Sequence, residues 1–294
     1  MVYLENDRFR AAIDEKGAEL SSLIGKSDGT EYVWQGDPNI WARHAPLLFP
    51  VIGRLKGKQY TLNGQAYSIT QHGFGRDLEF SISKQCSPSC VELTLVQNDI
   101  TKRMYPYDFS LTIRYTLDGN QLKKEHIMQN PNDIPLYYEV GGHDGYNICL
   151  SEGETIQDSY VQFEGTNEMH PLRLDENILL TGESDTVLLD DGRLWIDRET
   201  FRTDAIMMES PKIRRLTICS QKHSKKITVA FDDFDYVGIW SAYKPFDVPY
   251  VCIEPWSTLP DCSFLGQELE KKVGVRCVAP RQSETLTFTT IVSE

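Results

Sequence analysis

The stretch Phe109-Ser-Leu-Thr-Ile-Arg-Tyr-Thr-Leu-Asp-Gly-Asn120 carries an apolar residue at every second position from Phe109 to Leu117, then ends on Asp118-Gly119-Asn120. A period of two puts Phe109, Leu111, Ile113, Tyr115 and Leu117 on one face of an extended chain and their polar neighbours on the other. That pattern predicts a half-buried antiparallel strand running into a turn. Upstream, Tyr60-Thr-Leu-Asn-Gly-Gln-Ala-Tyr-Ser-Ile69 alternates on both sides of Asn63-Gly64, the dipeptide that accepts positive φ in a tight hairpin. Val91, Leu93 and Leu95 alternate in the same way, as does the tail Thr285 to Ile291. Tyr160 to Phe163, Ile227 to Phe231 and Val237 to Trp240 read as further strands.

No segment holds a 3.6-residue apolar period for three turns; Asp99 to Met104 predicts one short helical turn, stopped before Pro106. There is no Pro- or Ser-rich linker and no internal repeat. The expectation is an all-β chain, one large antiparallel β-sandwich domain over residues 1–294, with binding residues on one concave sheet face and its bordering loops.

Composition narrows the function. With 43 acidic against 30 basic residues the formal net charge is -13, which disfavours nucleic acid and anionic membranes as partners. The N-terminus lacks the pattern of a secretory signal, and no apolar run approaches the roughly 18 residues of a membrane span. Seven scattered cysteines, an odd number, read as reduced thiols and a cytoplasmic location. None has zinc-finger spacing, and the common nucleotide-binding loops are missing, so no metal and no cofactor are expected.

The chemistry-bearing residues are two histidines and a late carboxylate. Glu254 follows Val251-Cys-Ile253, which reads as a buried strand leading into a loop at Pro255-Trp256. Burial there would raise its pKa toward neutrality, as a general base needs; a structural ion pair is the competing reading. His143 follows Gly141-Gly142, whose missing side chains admit either a ligand or another strand; His72 lies beside Gly73 and Gly75. Each histidine is a candidate acid or a satisfied structural residue. Arg54 ends an apolar run and can hold sugar hydroxyls or stand in solvent. Asp204 enters an apolar strand, with a turn aspartate as the bland alternative, and Trp256 is the tryptophan retained as a stacking surface rather than core. His44, His126, His170 and His223 read as structural or surface.

Taken together, Trp41-x-x-His-Ala-Pro-Leu-Leu-Phe-Pro-Val-Ile-Gly-Arg54, His72-Gly-Phe-Gly-Arg76, Gly141-Gly-His143 and Glu254-Pro-Trp-x-x-x-x-Asp261 resemble the aldose 1-epimerase (galactose mutarotase) family, in particular its bacterial LacX-type branch. The resemblance implies a β-supersandwich and interconversion of the α and β anomers of a free aldose. It casts Glu254 as the base on the C1 hydroxyl, His143 as the acid on the ring oxygen and His72 as a polarising group. Arg54 and Asp204 would then hold the sugar. Two positions depart from the family pattern: Asp144 follows His143, where it could pair with that histidine and raise its pKa, and Thr258 replaces a usual glycine, where it could narrow the loop. Two other functions compete. A hexose-6-phosphate mutarotase would use Arg54, Lys56, Lys58 and Arg76 as a phosphate clamp, and a non-catalytic carbohydrate-binding or sensing protein would need only the fold. The expected partner is a monosaccharide, phosphorylated or not, bound by a monomer or homodimer.

Overall fold

In the computed structural model residues 1–210 and 212–293 are described, and among them antiparallel strands dominate. The predicted strand is Ser110–Asp118, with Leu111, Ile113, Tyr115 and Leu117 buried and the intervening residues part-exposed. It lies in a nine-stranded sheet. From one edge the order is Arg193–Trp195, Ser159–Phe163, Arg215–Ser220, Lys226–Ala230, Ser283–Ser293, Gln121–Gln129, Ser110–Asp118, Cys90–Val96 and Ser81–Ser87. Every pairing is antiparallel. The hairpin at Asn63-Gly64 joins Gln59–Leu62 to Gln65–Ser68, with φ of 51° and 77° at the two turn residues, as a primed turn requires. The short helix is Asp99–Met104; the Asn98 side chain accepts the Ile100 and Thr101 N–H groups and so fixes its start.

A three-stranded sheet, Val2–Glu5, Phe9–Asp14 and Glu19–Gly25, and a four-stranded sheet complete the main layers. One apolar cluster takes in Leu4 and Phe9 from the first, Ile113 and Tyr115 from the large sheet, and Ile239 and Ile253 from the second. Each such side chain stabilises the fold by roughly 1.5–3 kcal/mol relative to exposure, so alternation becomes a packed interior. No described helix is long and apolar enough to cross a membrane.

The four-stranded sheet positions the site, in the order Asp144–Asn147, Tyr250–Trp256, Tyr236–Trp240, Ile206–Glu209. All seven residues of Tyr250–Trp256 are buried. Val251 and Ile253 pack in the main core, while Tyr250 and Cys252, on the other face, join Trp34. Trp256, on the face of Tyr250 and Cys252, meets Leu48 and Met207. The expected loop after Ile253 is absent here: Pro255 stands opposite Val237 and Trp256 opposite Tyr236. Proline removes a donor but keeps its acceptor, and the Pro255 carbonyl takes the Gly142 N–H at 3.0 Å. Glu254 is therefore held within a central strand.

Candidate active site

Because side chains alternate along Tyr250–Trp256, Glu254 leaves the same face as Cys252 and Trp256, opposite the main core. His143 comes from the segment just before Asp144–Asn147, which pairs with the Glu254 strand up to Asp144 opposite Ile253. The result is His143 Nε2 at 3.3 Å from Glu254 Oε2, with Glu254 only 1% and His143 8% exposed. Neither the His143 nitrogen nor the Trp256 indole beside Glu254 meets its oxygens in full hydrogen-bond geometry, and His143 Nδ1 is unpartnered among the described residues. Burial pushes the Glu254 carboxyl well above its ordinary range; Asp204 adds to the shift and the Trp256 indole opposes it. Burial also lowers His143 to about 3. Of the two, the carboxyl holds a shared proton more readily.

His72 lies beside this pair, its ring centroid 5.7 Å from that of His143 and nearly perpendicular. Its backbone has φ 63°, and Phe74 and Gly75 both donate their N–H groups to the Phe49 carbonyl at 2.9 Å. A Cβ on Gly73 would meet that carbonyl oxygen at 2.1 Å, so the Gly73 position admits no side chain. Gly53 N–H donates to His72 Nδ1 at 3.1 Å, which makes Nδ1 the acceptor and puts the proton of the neutral ring on Nε2. Burial, then His143 and the arginines 76, 43 and 54, hold His72 well below its usual pKa, so it stays neutral. The Gln71 amide stands 3.2 Å from that Nε2.

These groups line a cleft of about 440 Å³, within the roughly 300–1,000 Å³ usual for small-molecule sites. Arg54, Asp204 and Trp256, all named from the sequence, line it too. Arg54 is exposed and has no ion-pair partner among the described residues. Asp204 has φ 136°, a strained value, and its Oδ1 accepts the Ala205 N–H at 2.8 Å. Trp256 forms the floor at 2% exposure. A Cβ on Gly141 would lie 2.8 Å from the Trp256 ring and one on Gly142 2.7 Å from the Phe288 ring, so the protein's own aromatic rings fill the space that the two glycines open. A second cleft, about 560 Å³ between Met169, Leu172 and Met208, is larger, but its His170 and Glu168 are exposed at the surface. The buried acid/base pair, rather than size, distinguishes the first.

Several sequence readings are revised. Asp144 does not pair with His143: its Oδ1 is 3.1 Å from Lys124 Nζ, both buried, and His143 is lowered rather than raised. Thr258 is buried away from the cleft, where its hydroxyl donates to the Val273 carbonyl. Lys56 turns away to the Ser263 carbonyl and Lys58 does not line the cleft, whereas Arg76 does; its guanidinium donates to the Gln71 carbonyl at 2.7 Å. His44, His126, His170 and His223 all lie outside.

Sequence reasoning missed Trp41 and Trp240, whose rings lie 5.1 and 5.4 Å from that of His143 and wall it on two sides. It also missed the support beneath Arg54. Lys272 Nζ lies 2.7 Å from Glu139 Oε1 and 2.9 Å from Asp261 Oδ1. Glu139 in turn accepts the Ile52 N–H at 2.6 Å and Asp261 the Lys56 N–H at 2.9 Å, which pins the loop carrying Arg54 at both ends. Asp261 closes a quoted motif; nothing local marks Glu139 or Lys272.

Comparisons with known proteins bear on the family and the fold. Residues 1–275 match the family model described as aldose 1-epimerase. The chain is 31% identical over 287 residues to the plasmid and chromosomal LacX proteins of Lactococcus lactis subsp. lactis, covering 95% of each. Among solved structures, a galactose mutarotase related enzyme from Lactobacillus acidophilus superposes with a TM-score of 0.93 at 30% identity, over 99% of this chain and 97% of that one. A galactose mutarotase-like protein from Lactobacillus casei gives 0.91 at 29% identity, over 100% of both chains. The motifs around Arg54, His72, His143 and Glu254 thus meet in one cleft of a mutarotase-like β fold, and the chain belongs to the aldose 1-epimerase family.

Proposed function

We propose that this protein is a mutarotase that interconverts the α and β anomers of an aldose, acting as a single domain and without a cofactor. The observation that carries the reading is the buried His143 and Glu254 pair, 3.3 Å apart in the cleft. In ring opening the shared proton first passes from Glu254 to His143 across their 3.3 Å contact; Glu254 then takes the O1 proton, the C1–O1 bond becomes a carbonyl, the C1–O5 bond breaks, and O5 takes a proton from His143. Rotation about C1–C2 presents the other aldehyde face, and closure runs both transfers backward. The pair holds one mobile proton before and after, so nothing is consumed.

His72 presents Nε2–H to polarise the ring oxygen, because Gly53 occupies its other nitrogen. Arg54 and Asp204 hold hydroxyls from the two sides, and Trp256 supports the sugar face. Each transfer is worth roughly 10²- to 10⁴-fold. Dissolving α-D-glucose or α-D-galactose and following anomer exchange by polarimetry or NMR tests the reading. Acceleration by the protein, lost in Glu254→Gln and His143→Asn, supports it; near-normal turnover in either variant overturns that residue's role. Binding without exchange in the unmutated protein would leave a sugar-binding function instead.

A second reading is favoured by Arg54 and Arg76, which line the cleft with no carboxylate closer than 3.9 Å among the described residues. Guanidinium groups placed this way suit a phosphorylated sugar. Faster exchange on glucose 6-phosphate than on glucose, abolished by Arg76→Met, would select it.

A further inference from the structure

Behind the proton-transfer pair lies a buried thiol that the mutarotase chemistry does not use, its pKa held well above the ordinary value by burial. Cys252 precedes Glu254 by two residues on the same strand, so both side chains leave one face. Its sulfur, a ring nitrogen of His143 and a carboxylate oxygen of Glu254 all lie within 4.8 Å of one another, and all three residues are buried. The Glu254 side chain is 1% exposed, and its oxygens have only the His143 ring nitrogen and the Trp256 indole beside them, neither in full hydrogen-bond geometry. Buried acceptors without donors are costly, and a cation relieves that cost directly.

The donor set is one sulfur, one imidazole nitrogen and one carboxylate oxygen. Magnesium and calcium prefer all-oxygen shells, whereas zinc takes this mixture and in open sites uses three protein ligands plus one exchangeable position. Zinc bonds of about 2.1 Å at the tetrahedral angle separate nitrogen and oxygen ligands by about 3.4 Å. His143 Nε2 and Glu254 Oε2 are already 3.3 Å apart. The sulfur lies within 4.8 Å of both and has to close by up to about 1 Å to reach the roughly 3.6 Å separation of sulfur and nitrogen or oxygen ligands on zinc. The fourth position then faces the cleft that His143 and Glu254 line, where a water or a sugar hydroxyl would sit.

We propose that Cys252, His143 and Glu254 form a zinc-binding site at the foot of the cleft. Zinc held there blocks proton transfer reversibly, because it occupies the lone pairs that the reaction needs. Binding replaces the thiol proton and the mobile proton of the pair: Zn²⁺ enters, two H⁺ leave, and the thiolate and carboxylate neutralise the ion. A neutral complex is what a buried site tolerates. Release of two protons makes the affinity rise by up to roughly 100-fold per pH unit. The inhibitory consequence rests on the proposed mutarotase reading; the site itself does not.

The test uses the full chain after chelation, in a Cys86→Ser/Cys90→Ser background, because those two neighbouring thiols offer a competing site. Titration with Co²⁺ alone is followed by absorption. The expected result is one equivalent bound with a thiolate-to-cobalt charge-transfer band and four-coordinate visible bands, displaced by Zn²⁺. Cys252→Ala should lack the charge-transfer band and bind Zn²⁺ at least about 100-fold more weakly, having lost its thiolate ligand. It should keep anomer exchange at zinc concentrations that stop the parent protein. Cobalt bound without the thiolate band, no binding by the parent protein, or equal zinc affinity in Cys252→Ala would each overturn the proposal. If no exchange occurs in any form, the catalytic reading fails while the cobalt spectrum still decides the metal site.

Discussion

Lys272 Nζ lies 2.7 Å from Glu139 Oε1, both side chains being almost wholly buried beneath the loop that carries Arg54. Burial pulls the Lys272 ammonium down, but Glu139 and Asp261 outweigh it and leave its pKa raised overall. Burial raises Glu139, with Lys272 opposing. Lys272→Met would leave two buried carboxylates without their cation. The expected loss is about 3–5 kcal/mol, the usual cost of breaking a buried pair, read as a lower urea midpoint. Glu139→Gln keeps an acceptor for Ile52 N–H and leaves Lys272 paired to Asp261, so it should lose less. Equal losses in the two variants would contradict the assigned geometry.

The pH dependence of kcat/KM follows from the single mobile proton of His143 and Glu254. The competent state is the singly protonated pair. On the acid side a second proton goes to His143, lowered by burial to about 3. On the alkaline side the proton is lost from Glu254, whose pKa burial raises well above the ordinary carboxyl value. Activity should therefore show no acid limb between about pH 5 and 7, where an unperturbed histidine would give one. A fall in kcat/KM near the ordinary histidine value would refute this proton count.

His72 combines a left-handed backbone with a buried acceptor for Gly53 N–H. Asparagine tolerates that backbone, whereas a β-branched residue does not. His72→Asn should fold with near-normal stability while kcat falls about 10²-fold from loss of the polarising N–H. His72→Val should lose both activity and stability. If His72→Asn retained full turnover, His72 would be a structural residue only.

Gly238 faces the indole of Trp256, and a Cβ there would lie 2.8 Å from the ring. Gly238→Ala must displace the tryptophan that floors the cleft beside Glu254. We expect about 1–3 kcal/mol of destabilisation from overpacking, together with a lower kcat. Thermal denaturation and anomer exchange on the same preparation check it; unchanged values for both would show that Trp256 moves freely.

Much of this molecule was legible locally. The alternation from Phe109 to Leu117, the Asn63-Gly64 turn and the one-turn helix at Asp99 to Met104 all stand where the periodicity put them. Arg54, His72, His143, Asp204, Glu254 and Trp256, read from motifs, share one cleft. The failures share a cause. Asp144 reads in the sequence as able to pair with its chain neighbour His143, yet its partner is Lys124 on another strand, twenty positions away. Lys56 and Lys58 were joined to Arg54 by proximity in sequence, but Lys56 turns to Ser263 instead.

What the sequence by itself determined was therefore everything with a short period: strand identity, turn position, and which face of each strand is apolar, since backbone geometry repeats every two residues. The tertiary structure decided everything that depends on approach between distant segments. Only the packing of the Tyr250–Trp256 strand beside the Gly141-Gly142 segment brings His143 within 3.3 Å of Glu254 with Cys252 behind them, and only chain closure sets Lys272 beneath Arg54. Burial at those junctions, which no local pattern encodes, is what shifts the protonation of the pair.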